Sequence, residues 1–310
     1  MRVVFMGTPD FAVDCLDILV EKGHEVVGVF SQPDKPQGRK QIMTPPAVKA
    51  RALELGLDVY QPVSFKDGEA VSLLEKLAPE LIVVVAYGKL IPQRVLDIPK
   101  YGCINVHASL LPKLRGAAPI QWSVINGEKE TGVTTMQLDA GLDTGDILLV
   151  KKTEIEPNET SGELFDRLKV LGAELLIETI NAILDGTLNP IKQDDSQSTY
   201  ASMLDKKLSP VDWTKTAQQV HNHIRGLEPW PVATTVINEK IVKLYGSRLA
   251  GAYNKQAGEV VKADNELIVC CGDGNAVSIT QLQAQGKNKL NAADFLRGFK
   301  IEKGTILLSN

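Results

Sequence analysis

Residues 80–86 read Glu-Leu-Ile-Val-Val-Val-Ala, and this nearly continuous apolar run restricts the fold more than any other stretch. A half-buried strand alternates apolar and polar side chains, whereas a run of this kind buries both of its faces. Such strands lie at the centre of parallel sheets covered by helices on both sides, which predicts an α/β domain. The loop Tyr87-Gly88-Lys89-Leu90 follows at the carboxyl end of the strand, where open α/β sheets bind ligands.

The N-terminal residues predict a βαβ unit. A short apolar strand over residues 2–6 is followed by a helix over residues 11–22 and a strand over residues 25–30. Thr8 is placed to cap the helix. The first turn has a single glycine, so it lacks the G-x-G-x-x-G sequence that binds dinucleotides. A nicotinamide cofactor, and with it a dehydrogenase, is therefore disfavoured.

Two polar side chains interrupt the predicted strand at residues 103–108. Asn105 and His107 are two residues apart, so both side chains point to one side of the strand, while Val106 points to the core. A lone histidine on a strand is often structural. A strand that is apolar on one face and presents an amide and an imidazole on the other nevertheless indicates a functional site.

The loop at residues 139–146, Asp-Ala-Gly-Leu-Asp-Thr-Gly-Asp, is expected to complete this site. We expect Asp143 to approach His107 closely, because Gly141 and Gly145 permit unusual backbone angles. Aspartates in glycine-rich loops also serve turns, so a purely structural role is the alternative.

An amide, an imidazole and a carboxylate together indicate acyl transfer without a protein nucleophile. A substrate amine would attack a carbonyl, and Asn105 and a protonated His107 would donate hydrogen bonds to the oxyanion. Asp143 would stabilise the protonated ring and take the proton that the amine loses. A serine hydrolase is a weaker interpretation, because Ser109 lacks the G-x-S-x-G elbow.

Residues 31–46 contain four prolines and a glycine, which predicts a long loop without regular structure. Lys35, Arg39 and Lys40 lie in it, at the end of a strand. One interpretation is an exposed loop with scattered charge, and the other is a flap that contacts phosphates.

The C-terminal third differs in pattern and charge. Residues 209–310 hold 12 Lys and Arg against 9 Asp and Glu, a net charge of +3, whereas residues 1–208 hold 22 against 29, a net charge of −7. We predict a catalytic domain at residues 1–189, a linker at 190–208 and a small β-barrel or sandwich at 209–310. The barrel's mild positive charge is compatible with RNA, although chance variation would also explain it. Its predicted elements are a helix at 216–225 and strands at 233–237, 240–245, 258–261, 267–270 and 276–282.

Cysteine and histidine usage argues against a metal or disulfide framework. The four cysteines match neither a zinc site nor a disulfide pattern, and we expect reduced thiols in a cytoplasmic protein. No metal is expected, because His107 has no paired-ligand pattern around it. The N-terminal run is too short for a signal peptide, and no run approaches the roughly 20 apolar residues that span a membrane.

Several motifs resemble those of the 10-formyltetrahydrofolate-dependent formyltransferases. They are Asn105-Val-His107-Ala-Ser-Leu-Leu-Pro112, Arg115-Gly-Ala-Ala-Pro-Ile-Gln121 and Asp139-x-Gly-Leu-Asp-Thr-Gly-Asp146, with Pro229-Trp-Pro231 farther on. The resemblance extends over the whole chain and implies a Rossmann-like parallel-sheet domain followed by an OB-like β-barrel that binds tRNA. It implies formyl transfer from 10-formyltetrahydrofolate to methionyl-initiator tRNA by a cytoplasmic monomer, with no metal and no membrane.

The resemblance also implies roles for individual residues. Asn105, His107 and Asp143 would be the catalytic residues. Lys35, Arg39 and Lys40 of the flap would contact tRNA. The folate would be held by residues of three loops: Tyr87, Gly88 and Leu90; Ser109, Leu110, Leu111 and Pro112; and Asp139.

Two other functions stay open at this point. Formyl transfer to an amino-sugar nucleotide would use the same catalytic core, and the basic barrel is what favours RNA instead. An RNA-binding protein with a degenerate Rossmann-like domain is a different class, against which the presence of Asn105, His107 and Asp143 argues.

Overall fold

The fold was obtained as a computed structural model that describes residues 1–38, 40–66 and 68–309. The strands are β1 (Arg2–Gly7), β2 (Glu25–Phe30), β3 (Lys35–Gln37), β4 (Ile42–Thr44), β5 (Val59–Tyr60), β6 (Leu81–Val85), β7 (Cys103–His107), β8 (Arg115–Gly116), β9 (Glu130–Gln137), β10 (Ile147–Glu154), β11 (Tyr200–Ala201), β12 (Ala233–Ile237), β13 (Lys240–Ala252), β14 (Val260–Ala263), β15 (Leu267–Cys270), β16 (Asn275–Ala284) and β17 (Leu290–Asn291). The α-helices are α1 (Val13–Glu21), α2 (Ala47–Glu54), α3 (Glu69–Leu77), α4 (Gln93–Leu96), α5 (Pro119–Ile125), α6 (Ser161–Leu184), α7 (Ala217–Gly226) and α8 (Ala292–Gly298), and short 3-10 helices lie at Asp10–Ala12, Asp195–Gln197 and Lys206–Leu208.

Over the described residues the chain divides into two compact units, and neither is continuous in sequence. The first unit is Met1–Gly116, Gly132–Thr153 and Phe165–Tyr200, and the second is Ala117–Thr131, Glu154–Leu164 and Ala201–Asn310. The segment predicted as a linker therefore contributes its first part to one unit and its remainder to the other. The domain boundaries drawn from the sequence stay a prediction.

A seven-stranded sheet, counted over the described residues, organises the first unit in the order β10-β9-β7-β6-β1-β2-β5. The strands from β5 to β7 are parallel, and β9 runs antiparallel to β7. Every residue of β6 is buried, which confirms the prediction of a central parallel strand. The predicted α/β class is thus confirmed.

Both faces of this sheet are covered, and they bury different sides of β7. On one face the α6 backbone approaches closely at Gly172, where an added Cβ would lie 3.1 Å from Val106. On the other face Cys103 belongs to a core cluster that includes Leu74 of α3 and Val95 of α4. Because side chains alternate along a strand, Asn105 and His107 share the side of Cys103, and Val106 points the other way, as predicted.

Thr8 does not cap a helix, so that prediction is wrong. Its hydroxyl instead donates a hydrogen bond to the carbonyl oxygen of Tyr87, 2.9 Å away, and the Gln32 amide donates to the same oxygen at 3.1 Å. These residues follow β1, β6 and β2, whose carboxyl ends meet at one edge of the parallel sheet. The hydroxyl therefore ties together the loops at the edge where ligands are expected.

The predicted absence of regular structure over residues 31–46 is also wrong. β3 and β4 form an antiparallel hairpin, with Pro36 opposite Met43. A two-stranded ribbon has an outer edge on each strand, so it tolerates a proline that cannot donate to the ladder. Arg39 lies outside the described residues.

The second unit contains an antiparallel sheet in the order β12-β13-β16-β15-β14. Near the C-terminus Val236 pairs with Leu308 and Glu259 pairs with Ile306, so one segment bridges from the β12 edge towards the β14 edge. The predicted antiparallel β domain is thus present, and its closure into an OB-like barrel stays a prediction. Thr216 caps α7 and forms a capping box with Gln219, and the interior is packed with apolar residues of the strands, α7 and α8.

No helix in the described part of the chain combines the length and apolar character that crossing a bilayer requires.

Candidate active site

Asn105 and His107 lie side by side on β7, near the carboxyl end of the parallel strands. The register pairs Asn105 with Val84 on one side and with Met136 on the other. Both side chains are nearly buried, with 8% and 6% of their surface exposed. The sequence prediction that these two polar groups share one side of a strand is confirmed.

The His107 ring is oriented by a backbone carbonyl group. Nε2 lies 2.9 Å from the carbonyl oxygen of Leu114. A carbonyl oxygen can only accept, so Nε2 carries a proton and donates it. Nδ1 then lies on the side of Asp143, 3.7 Å from its Oδ2 atom. This distance exceeds that of a hydrogen bond but lies within the range of an ion pair between the carboxylate and a protonated ring.

A second contact holds the Asp143 carboxylate in place. The Gly116 backbone N–H donates to Oδ2 at 2.8 Å, so the same oxygen faces both a backbone donor and the His107 ring. Asp143 itself has a φ of 53°, in the left-handed region that a non-glycine residue enters at a cost. The expected approach of Asp143 to His107 is thus present in the structure.

The expectation that Gly141 and Gly145 provide unusual backbone angles is wrong, because neither has a positive φ. At both positions glycine is required because neighbouring atoms leave no room for a Cβ atom. A Cβ atom at Gly145 would overlap the Gln137 carbonyl oxygen, and one at Gly141 would overlap the Thr144 side chain. The unusual backbone angle falls on Asp143 instead.

Asp139 shapes this same loop. Its carboxylate accepts hydrogen bonds from the Gly141 N–H at 3.0 Å and from the Thr144 hydroxyl at 2.8 Å. The carboxylate is exposed, and its partners are within the loop. Its direct effect is therefore on loop shape, and a contact of Asp139 with folate stays a prediction.

The Asn105 amide makes no side-chain hydrogen bond to any residue that the structure describes. The amide atoms reach solvent, since the fully buried unpartnered side-chain atoms of the described residues are those of Ser31, Tyr87 and His223. Beside His107 and Asp143, it offers two N–H donors to an oxygen that enters the site. This is the arrangement that an oxyanion formed during acyl transfer requires.

Four of the residues predicted to bind folate, Ser109, Leu110, Leu111 and Pro112, form the turn after β7. The Ser109 hydroxyl is buried and donates to the Lys113 carbonyl oxygen at 2.6 Å, so it is occupied within the turn. Thr134 braces the turn by donating to the Ser109 carbonyl oxygen at 2.7 Å. Leu111 is buried, and Leu110 and Pro112 are partly exposed. The turn directly follows Asn105 and His107 along the chain, and its contact with folate stays a prediction.

The loop after β6 holds the other predicted folate residues. The Tyr87 ring is buried, its hydroxyl is unpartnered within the described residues, and burial raises the pKa of Tyr87 to about 12. Gly88 and Leu90 are exposed, and 75% of the Leu90 surface faces solvent. Gly88 and Leu90 are thus accessible to a ligand, whereas the Tyr87 ring serves the core.

Lys35 and Lys40, the described members of the predicted tRNA contacts, are both exposed on the β3–β4 hairpin or its turn. Arg39, the remaining member, is outside the described residues.

Arg115 and Gln193 were not predicted as site residues, although both contact the Asp143 turn or its support. Gln193 donates to the carbonyl oxygens of Asp143 and Gly145, and Arg115 donates to the Gln193 side-chain oxygen. The sequence signal for Arg115 was its place in the motif Arg115-Gly-Ala-Ala-Pro-Ile-Gln121. Gln193 stands in a polar stretch that was interpreted as a linker, and no local pattern distinguished it.

No group of three or more His, Cys, Asp or Glu side chains is placed to bind a metal ion among the residues that the structure describes. The donor set at the site is one amide, one imidazole and one carboxylate, with further donors from the backbone. Such a set is suited to hydrogen bonding and proton transfer.

Comparison with protein families gives two matches that together span most of the chain. Residues 1–180 match the family described as formyl transferase. Residues 203–300 match the family described as formyl transferase, C-terminal domain.

Curated relatives are similar over their full length. A protein of Clostridium novyi named methionyl-tRNA formyltransferase is 49% identical over 310 residues, which cover 99% of this chain and 100% of that protein. A protein of the same name from Geobacter sulfurreducens is 50% identical over 308 residues, covering 99% and 96% of the two chains.

Solved structures share the fold at lower identity. An N-formyltransferase from Helicobacter canadensis, solved with folinic acid and dTDP-3-aminofucose, has a TM-score of 0.69 and 22% identity, covering 92% of this chain and 99% of that chain. HypX from Aquifex aeolicus, solved with tetrahydrofolic acid, has a TM-score of 0.65 and 20% identity, covering 100% of this chain and 51% of that chain.

Proposed function

The chain belongs to the formyl transferase family, and on that premise we propose that it formylates the α-amino group of methionyl-initiator tRNA. The formyl donor is 10-formyltetrahydrofolate. Relatives that carry the name methionyl-tRNA formyltransferase are 46–50% identical over nearly the whole chain, including the second unit. The observation that carries the chemistry is that Oδ2 of Asp143 lies 3.7 Å from Nδ1 of His107, with Asn105 on the same side of β7 as His107.

The amine nitrogen attacks the formyl carbon, forming a C–N bond and moving the carbonyl π electrons onto oxygen. Asn105 donates to this oxyanion, and His107 does so through Nδ1 when the ring is protonated, since Nε2 already donates to Leu114. Two preorganised donors of this kind supply the largest share of the stabilisation in many acyl transfers.

The proton balance involves Asp143. The attacking amine loses a proton, which the Asp143 carboxylate accepts. The tetrahedral species then collapses, its bond to the folate nitrogen breaks, and that nitrogen takes up the proton held by Asp143, which leaves the carboxylate ionised again. Gly116 holds Oδ2 of Asp143 at 2.8 Å, so the carboxylate needs little rearrangement to act.

Folate would bind at the loops after β6 and β7. Gly88 and Leu90 offer accessible backbone and an apolar surface, while Tyr87, Ser109, Leu110, Leu111, Pro112 and Asp139 shape the surrounding loops. The apolar side chains suit the ring of a folate, and the unpaired Asn105 amide suits its formyl oxygen. These assignments are supported by position at the carboxyl edge of the sheet.

The tRNA would contact the β3–β4 hairpin and the C-terminal residues 209–310. Lys35 and Lys40 are exposed, and together with Arg39 they supply positive charge for phosphates. The net charge of +3 over residues 209–310 supports a second area of contact. We propose a cytoplasmic monomer, since its substrates are a charged tRNA and a folate.

The decisive assay offers two acceptors with 10-formyltetrahydrofolate. Methionyl-initiator tRNA is expected to be formylated rapidly, and an amino-sugar nucleotide, the acceptor type seen in a distant structural neighbour, is expected to be inert. Preference for the amino sugar would overturn the assignment of substrate, and inactivity with both acceptors would overturn formyl transfer.

A further inference from the structure

Gln193 lies in a polar segment, yet it is buried, with 8% of its surface exposed. Its Nε2 atom donates to two backbone carbonyl oxygens, that of Asp143 at 2.9 Å and that of Gly145 at 2.7 Å. One side-chain amide thus binds the two carbonyl groups that flank Thr144, and it closes the turn that carries the catalytic carboxylate.

Arg115 determines which way the Gln193 amide points. The Nε and Nη2 atoms of Arg115 donate to Oε1 of Gln193 at 3.1 Å and 2.7 Å. A guanidinium group only donates and a backbone carbonyl only accepts, so a single orientation of the amide satisfies all four bonds. Arg115 is itself buried, with 9% of its surface exposed, and its guanidinium group also donates to the exposed Asp195.

These bonds act on a turn that is otherwise unfavourable. Asp143 has a φ of 53°, and such a conformation persists only where the surroundings enforce it. Gln193 holds the Asp143 backbone, and the Gly116 N–H holds its carboxylate. Gly116 directly follows Arg115, so this short segment fixes Asp143 in two ways. Gly116 bonds to the carboxylate, and Arg115 orients the Gln193 amide that bonds to the Asp143 backbone.

We propose that Gln193, oriented by Arg115, is a positioning residue that keeps the Asp143 carboxylate beside Nδ1 of His107. The role rests on the proposed function, because it concerns the carboxylate that we assign to proton transfer. Neither side chain needs to contact a substrate. A displacement of about 1 Å in a reacting group lowers a rate by up to roughly 100-fold, so the effect on turnover is measurable.

The variant Gln193→Glu tests this role with almost no change in volume. A carboxylate still pairs with Arg115 but has no N–H group for the carbonyl oxygens of Asp143 and Gly145. We expect kcat for formylation of methionyl-tRNA to fall by about 10- to 100-fold, with little change in KM for either substrate. Gln197→Met is the control, to be compared with Gln193→Met, because Gln197 is exposed in the same segment and its side chain donates to Asp194. Its kcat should match that of the wild type.

A double-mutant cycle separates positioning from a general loss of structure. If Gln193 acts through Asp143, then Gln193→Glu should reduce kcat in the wild-type background but hardly at all in the Asp143→Asn background. An equal reduction in both backgrounds would show that Gln193 acts elsewhere and would overturn the proposal. Wild-type turnover of Gln193→Glu would overturn it too.

The amide proton of Gly116 gives a readout that is independent of turnover, because it bonds to Asp143 Oδ2. In Gln193→Glu we expect faster hydrogen exchange at Gly116, by more than the fall in global stability, measured by urea unfolding, accounts for. Gln193→Met, which removes both donors without adding charge, should give the same result if Gln193→Glu folds poorly. Unchanged exchange in the variant that folds would refute the proposal. An inactive wild-type protein, or an Asp143→Asn variant with full activity, would instead refute the proposed function.

Discussion

The His107 ring donates its Nε2 hydrogen to the carbonyl oxygen of Leu114, 2.9 Å away, and this bond decides which nitrogen faces Asp143. Leu114 has a φ of 58°, an unusual backbone angle in the turn that places its carbonyl oxygen next to Nε2 of the ring. Nδ1 is consequently the nitrogen available for chemistry. In the neutral ring it accepts a proton, and in the protonated ring it donates to an oxyanion.

Asn105→Ala should lower kcat by about 10²–10³-fold, because it removes one donor to the developing oxyanion. The unfolding midpoint should change little, since the Asn105 amide has no side-chain partner among the described residues. Steady-state kinetics with methionyl-tRNA, together with thermal unfolding, measure both effects. Turnover equal to that of the wild type would remove Asn105 from the site.

Asp143→Asn should lower kcat by about 10²–10⁴-fold, the range that general base catalysis supplies. Asparagine tolerates the left-handed conformation, and its side-chain oxygen can still accept from Gly116, so the fold should persist. The matched control is Asp146→Asn, since Asp146 is an exposed carboxylate of the same loop. Comparable losses in the two variants would contradict the special role of Asp143.

Gly145→Ala should destabilise the protein by about 1–3 kcal/mol, as overpacking of a buried position does. The added Cβ would overlap the Gln137 carbonyl oxygen, which belongs to the backbone and cannot rotate away. Gly298→Ala is the control, because no atom lies within 4 Å of its added Cβ and its φ is not positive. Urea unfolding measures the free energy of unfolding of both variants. Equal values for the two would refute the prediction.

Lys35→Ala combined with Lys40→Ala should raise KM for methionyl-tRNA and leave kcat largely unchanged. If each lysine contacts one phosphate, the slope of log affinity against log salt should fall by about 0.7–0.9 for each residue removed. Lys22→Ala is the control, since Lys22 is exposed at the opposite end of α1 from the sheet edge that carries the site. An unchanged salt dependence in the double variant would exclude these lysines from the tRNA interface.

Stability should decline in mild acid because of His221. Burial, with a smaller contribution from Arg225, lowers the pKa of His221 from its ordinary value of 6.5, while the Pro157 carbonyl acts in the opposite direction. The unfolded chain therefore binds a proton at a pH where the folded His221 remains neutral. The stability that this histidine contributes is complete above pH 6.5 and is lost as the pH falls towards the folded pKa.

The expected slope from this histidine is at most about 1.4 kcal/mol per pH unit. Urea unfolding between pH 7.5 and pH 5.5 measures it, and His221→Gln should reduce the slope. His223, whose pKa is also lowered, chiefly by burial, should account for part of what remains. An identical slope in His221→Gln would contradict the assignment.

Patterns within short segments predicted much of the architecture. The apolar run in β6 indicated a central parallel strand, and β12 and β15 have the bounds expected from their alternation and turns. The i, i+2 spacing of Asn105 and His107 determined that they share a side of β7. These features depend on local periodicity, so the sequence alone was sufficient.

Local patterns failed wherever a distant partner decided the conformation. The Thr8 hydroxyl had a helix N-terminus nearby, but the Tyr87 carbonyl oxygen became its partner. β3 and β4 form a hairpin through cross-strand pairing, which the proline content of the segment did not predict. In each case a long-range hydrogen bond outweighed a local preference.

By itself, the sequence determined that an amide and an imidazole share one strand and that a carboxylate follows on a glycine-punctuated loop. Only the tertiary structure decided how that carboxylate is held. Asp143 takes a left-handed conformation, and Gln193, 50 residues away along the chain, stabilises it through two carbonyl groups. Backbone hydrogen bonds of a buried turn must be satisfied by whichever donor the fold brings near, and sequence spacing does not carry that information.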